Sequence, residues 1–263
     1  MRITGERIVT REGGFNPTWQ RHAANYRFAS ELLGTAGPAE PVPAVSPVLD
    51  LGCGNGHASH HLGERWSVGV DRDHDALAAQ ARPGVRADLR HLPFPSGAFA
   101  SVVCLHAVEH VADPDRVVAE CARVVSPEGA VVFATPNRLT FGRPDEVIDP
   151  YHFVEFSPDQ LQALVAAVFA EVTVYGVFGS ARYMDFFSQE RRRLDRLLAM
   201  DPLRLRRFVP RSVRQRLYDW RLTKERAGAP SAAAVAIDID DFSLRDHDLD
   251  GSLDLIARCR RRR

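Results

Sequence analysis

From residue 47 onward, short apolar runs alternate with stretches of helical periodicity. Pro47–Leu51 (PVLDL), Ser67–Asp71 (SVGVD), Val85–Ala87, Ala100–His106 (ASVVCLH), Ala130–Thr135 (AVVFAT) and Glu171–Phe178 (EVTVYGVF) read as strands. Between them, His57–Leu62, His74–Ala81, Pro114–Val125 and Pro158–Phe169 read as helices. Asp113 and Ser157 each precede a proline, which suits an N-cap followed by the first helical residue. Strands alternating with helices predict a doubly wound α/β sheet with right-handed crossovers.

The flanks follow other patterns. Trp19, Ala23, Tyr26 and Ser30 fall near one face of a helix over Thr18–Leu33. His22 and Tyr26, four apart, share a face of it. Gly34–Pro47 holds four prolines and two glycines and reads as a loop. Residues 182–226 look helical and carry 14 basic and 6 acidic residues, whereas 238–254 carry one basic and seven acidic. Residues 227–236 are small and unpatterned, a linker. Leu253, Leu255 and Ala257 alternate with their neighbours as a last strand. The expected organisation is an N-terminal extension or lid (1–45), a core (46–180), a basic helical cap with linker (181–236), and a segment completing the sheet (237–263).

Composition narrows the class. With 263 residues, 45% apolar and 26% charged, the chain can bury a full core without disulfides or a structural metal. The longest apolar run, Ala163–Ala170, is eight residues, far short of the ~20 a membrane span needs. The N-terminus shows no apolar core of a signal peptide. Four cysteines without a CxxC pair fit reduced thiols in a cytoplasmic protein. A net charge of zero argues against a general nucleic-acid binder. The basic 182–226 stretch reads as a solvated cap face, with weak contact to an anionic lipid surface or acidic glycan as the sharper alternative.

The chemistry concentrates in VLDLGCGNGH, residues 48–57. Glycines at a strand-to-helix turn let the backbone approach a ligand closely. The spacing of Gly52, Gly54 and Gly56 is G-x-G-x-G, not the G-x-G-x-x-G of dinucleotide folds. Asp50 places an acid where a cationic ligand such as S-adenosylmethionine would present its amino group and sulfonium. Asp71 ends the second strand and can accept from both hydroxyls of a ribose. Asp88 follows the third strand, placed for an adenine amino group, with Leu89 to pack on the ring.

The segments VLDLGCGNGH, VGVDRD and the run from Ala87 to Asn137 resemble class I S-adenosylmethionine-dependent methyltransferases of the UbiE/UbiG-like type (methyltransferase type 11). The resemblance implies a Rossmann-like seven-stranded sheet with the last strand antiparallel, and S-adenosylmethionine as cofactor. It implies that Asp50, Gly52, Gly54 and Gly56 line the methionine end and Asp71 the ribose. Asp88 and Leu89 would hold the adenine, and Leu105 and His106 would border the cofactor. The flanks (TGER at 4–7, the stretch from Arg21, TPNRLTF from Thr135, DPYHFVEFSPDQL from Asp149 and DLDGSLDLIA near the end) are similar to actinobacterial O-methyltransferases of polymethylated polysaccharide synthesis. That implies a sugar or glycan-type acceptor. A quinone- or polyketide-directed enzyme and a catalytically silent S-adenosylmethionine-binding protein are the alternatives.

An alcohol acceptor needs its proton removed, so a base should stand near the C-terminal strand ends. His110 and His152 are the candidates, with His152 preferred and Glu155 as its orienter. A magnesium site from His106, His110 and Asp113 is set aside, because histidine is a poor magnesium ligand and oxygen ligands are few. No metal is expected.

Overall fold

β1 (Val48–Leu51) is buried along its whole length and pairs in parallel with β2 (Ser67–Asp71) on one side and β4 (Phe99–Leu105) on the other. β3 (Gly84–Arg86) extends the sheet beyond β2, and β5 (Val125–Pro136) beyond β4. This computed structural model describes residues 15–34, 47–62, 67–141, 146–201, 204–226 and 232–261. The TGER motif, most of the Gly34–Pro47 loop and residues 227–231 of the linker lie outside the described residues.

The remaining strands run β6 (Glu171–Gly179), β7 (Phe242–Arg245) and β8 (Asp254–Arg260). The sheet order is β3-β2-β1-β4-β5-β8-β6-β7. β8 slots between β5 and β6, antiparallel to both; the alternation around Leu255 predicted the strand, and the resemblance implied its direction. The expected count of seven is corrected to eight. The added edge strand, β7, pairs antiparallel with β6. Four residues (FSLR) are too few for an alternating pattern to stand out in sequence, and the tertiary pairing creates the strand.

Both faces of the sheet are covered, as its nearly continuous apolar strands require. Leu49, Leu51, Val102, Cys104, Val131 and Phe133 pack on α3 (Pro114–Val124) and α5 (Pro158–Ala166). The alternate set, Val48, Val103, Leu105, Val132 and Ala134, packs on α1 (Asn16–Gly34). The two-residue strand period thus divides the core into two clusters, one per face. All four cysteines are buried and free, and burial pushes their thiols up, away from reactive thiolates.

Helix ends follow local chemistry with two exceptions. Ser157 caps α5 through a reciprocal capping box with Gln160. Asp113 precedes Pro114 as expected but makes no capping bond; its carboxylate accepts from Arg90 instead, at 3.2 Å. The helix expected over His57–Leu62 is a single 3-10 turn, Ser59–Leu62. Between β2 and β3, α2 (His74–Ala78) is capped by Asp73. The short α4 (Arg138–Phe141) follows β5, and α8 (Ala232–Val235) precedes β7. The basic segment forms α6 (Ala181–Ala199) and α7 (Arg211–Arg226) between β6 and β7.

Candidate active site

The glycine turn after β1 is pinned to its neighbour: the Gly52 and Cys53 amides donate to the Val70 carbonyl at 2.8 and 3.1 Å. Gly52 has φ +72°, and a Cβ there would stand 2.4 Å from the Ala107 Cβ, so only glycine fits. Gly54 (φ +54°) differs, because a Cβ on it would meet nothing within 4 Å. That free space belongs to a cleft of about 210 Å³, several times the ~30 Å³ share of one water molecule.

Six of the nine residues expected around the cofactor line this cleft: Gly52, Gly54, Asp71, Asp88, Leu89 and His106. The other three do not. Asp50 is buried behind the turn, where it accepts from Ser59 Oγ (2.8 Å) and Tyr26 Oη (3.1 Å). Burial raises the Asp50 carboxyl to about 6, opposed by those two bonds. Gly56 packs against Gln80, and Leu105 lies in the core beneath α1. Asp71 accepts from the Gly54 and Asp73 amides at 3.0 and 2.8 Å, which sets the turn relative to β2. Asp88 is bridged by Arg90, whose guanidinium holds the carboxyl down to about 2. Arg90, Arg72, Val111 and Phe153 also line the cleft and escaped sequence reasoning. Arg90 could have been found from its place two residues after Asp88.

His106 directly follows β4 and adopts φ +51°, and the next turn delivers Glu109 and His110. The His106 ring stacks on His22 at 4.0 Å, and Asn25 Nδ2 lies 2.7 Å from its Nε2. Asn25 also donates to Asp254 at the start of β8, which stands 3.3 Å from Arg21 Nε. The α1 face that carries His22 and Tyr26 therefore closes over the strand ends. Burial keeps His22 well below its usual range, so it is neutral.

The segment 149–153 meets this turn from the other side. The Phe153 amide donates to the Glu109 carbonyl (2.8 Å), and His110 Nδ1 lies 3.2 Å from the Tyr151 carbonyl. The structure thereby brings both predicted histidines together, with ring centroids 5.0 Å apart. His110 lines the cleft; His152 sits behind it, with Nδ1 3.2 Å from Glu155 Oε1. Burial lowers the His152 pKa, but Glu155, Asp149 and Glu109 outweigh it and lift the imidazole to about 9. Glu109, absent from the expected site, is the centre of the group. It is buried, and neither carboxylate oxygen accepts a hydrogen bond from a described residue. Burial pushes its carboxyl up, yet the surrounding imidazoles of His106, His110 and His152 pull it down to about 2. Glu109, His110 and His152 each offer a ligand-type atom, all within 4.8 Å of one another. The trio weighed from sequence does not assemble this way, since Asp113 is engaged by Arg90.

The cleft therefore joins a glycine turn with Asp71 and Asp88 to His106 and His110, behind which Glu109, His152 and Glu155 are buried. Residues 49–133 match the methyltransferase domain family of type 11. A probable S-adenosylmethionine-dependent methyltransferase of Mycobacterium tuberculosis (strain CDC 1551 / Oshkosh) is 30% identical over 97% of this chain and 88% of its own length. A ubiquinone biosynthesis O-methyltransferase of Pseudomonas fluorescens is 33% identical, but over 49% of this chain and 57% of its own. The fold is shared with a solved S-adenosylmethionine-dependent methyltransferase of Thermotoga maritima (TM-score 0.55, 15% identity, 94% of this chain and 97% of that one). Full-length similarity, the matching domain and the ligand-sized space over Gly54 agree, and the chain belongs to the class I S-adenosylmethionine-dependent methyltransferases.

Proposed function

We propose that this methyltransferase acts on a hydroxyl of a small polyhydroxylated acceptor, a sugar or glycan-type molecule, with His110 as the base. The observation that carries this reading is the polar end of the cleft. His110 lines it, and the bond from Nδ1–H to the Tyr151 carbonyl leaves Nε2 as the acceptor. The carboxylates of Glu109 and Glu155 are buried behind this wall and do not line the cleft; they make the wall polar, which suits a hydroxylated acceptor better than the flat apolar ring of a quinol.

In this reading Asp71 holds the ribose hydroxyls, Asp88 and Leu89 the adenine, and Gly52 and Gly54 the methionine end. Bound S-adenosylmethionine supplies a methyl group already activated by its sulfonium. The chain's task is to bind, align and deprotonate the acceptor. His110 Nε2 takes the hydroxyl proton. His152, paired with Glu155 and carrying a proton at neutral pH, is a fixed cation beside the site rather than the base. The base role expected for His152 on sequence therefore moves to His110.

The test is His110→Ala assayed on a panel of hexoses, oligosaccharides and quinols. Turnover should fall by about 10²–10⁴, the usual worth of a positioned base, with cofactor affinity nearly unchanged. Near-normal turnover would remove the base assignment, and turnover confined to quinols would remove the acceptor class. Asp71→Ala should weaken cofactor binding by about 1.5–3 kcal/mol in calorimetry, from lost hydrogen bonds to a charged group. A second reading has its own observation, the convergence of Glu109, His110 and His152, which a divalent cation could bridge. Dialysis against a chelator separates the two: the base reading expects unchanged turnover, the cation reading a loss restored by added metal.

A further inference from the structure

Six of the ten large apolar side chains exposed among the described residues lie between Met200 and Trp220. Phe208 is 85% exposed, Trp220 64% and Leu217 59%. On α7, Val213, Leu217 and Trp220 recur at four- and three-residue spacing and form one outward stripe. Phe208 projects from the 3-10 turn Leu205–Phe208 just before it. Exposed apolar side chains scattered singly need no explanation, but this concentration within one stretch of about twenty residues does.

The surrounding charge is one-sided. Between Arg204 and Arg221 there are seven arginines and a single acid, Asp219; of the seven, Arg206 pairs with Glu146 and Asp201, and Arg207 with Glu146. Asp219 is buried and accepts from the Tyr151 hydroxyl at 2.8 and 2.7 Å. Arg211 is turned inward as well, donating to the Pro150 and Tyr151 carbonyls and lying 3.5 Å over the Phe153 ring. The inner face of α7 is thus fastened to the segment that carries His152 and Phe153, and the outer side is apolar and basic.

We propose that the outer face of α7, with the Leu205–Phe208 turn, docks onto an anionic lipid bilayer. Apolar side chains set among arginines match an interface of acyl chains beneath phosphate headgroups. A second copy fits poorly, because a two-fold contact would face this basic surface with itself. Since α7 is fastened to Phe153 at the cleft, docking would hold the site within one helix diameter, ~10 Å, of the membrane surface, where an amphiphilic, lipid-linked acceptor would present its polar end. The last point rests on the hydroxyl-acceptor reading; the docking itself does not.

The test is co-sedimentation of the full chain with phosphatidylcholine vesicles, with and without about one-third phosphatidylglycerol. Binding is expected only to the anionic vesicles, falling about tenfold or more as salt rises from roughly 0.1 to 0.5 M. The double variant Phe208→Ser/Trp220→Ser should weaken binding about tenfold or more while keeping the melting temperature and cofactor titration of the parent. Arg216→Glu, at an exposed position, should weaken it independently of the apolar pair. No binding to anionic vesicles overturns the proposal, as does equal binding to neutral ones. So does a concentration-dependent dimer that the double variant dissolves, which would assign the face to a second copy. Failure of the acceptor assays leaves these outcomes untouched, so the two readings fail separately.

Discussion

The two ends of the cleft are built by different means. The glycine end is backbone: three positive-φ glycines, amides donating to Val70 and Asp71, and a strand buried on both faces. Its partners lie within about one βαβ unit. The polar end is side chain: Glu109, His110, His152 and Glu155, with Asn25 and Asp254 beside His106, drawn from four separate stretches. Asn25 and Asp254 are 229 residues apart, and Tyr151 and Asp219 are 68 apart. A ligand shared by a whole family can be held by local backbone geometry. An acceptor peculiar to one enzyme is met by long-range side chains, which change without disturbing the turn.

The sharpest way to break the comparison is at the glycines. Gly52→Ala combines a strained φ with a 2.4 Å approach to Ala107, and should cost about 2–4 kcal/mol of stability in chemical denaturation. Gly54→Ala shares the strain but meets open space, so it should cost only ~1 kcal/mol and act mainly on cofactor affinity. Equal destabilisation by both would mean that the free volume over Gly54 plays no part.

At the polar end the comparison predicts pH dependence. The folded-state pKa of His152, about 9, lies above its reference of 6.5. Its stabilising contribution is therefore fully present below about pH 6.5 and is lost as pH rises through about 9. Relative to His152→Gln, the parent should be more stable by on the order of 2–3 kcal/mol at pH 6, and the gap should close by about pH 10. A gap constant with pH would show that His152 does not carry the extra proton.

The smallest effect is expected where the cap meets the site. Tyr151→Phe removes the hydroxyl bonded to Asp219 and should cost about 1 kcal/mol. Hydrogen exchange should rise in α7 and in 149–153 together, with the glycine turn unaffected. Exchange confined to one of the two segments would uncouple the cap from the site.

The sequence by itself determined the succession of strands through β6, the glycine turn with Asp71, Asp88 and Leu89 beside it, and the existence of a last strand, whose antiparallel direction came from the family resemblance. These depend on periodicity and local spacing, which neighbouring residues encode. It also singled out His110 and His152. Only the tertiary structure decided that Glu109 stands between them, that His152 is held by Glu155 behind the cleft, and that Asp50 answers to Tyr26 and Ser59 rather than lining it. It also decided β7, whose four residues become a strand only because β6 offers an edge. A buried carboxylate's state depends on which distant groups fold against it, and no local pattern records that.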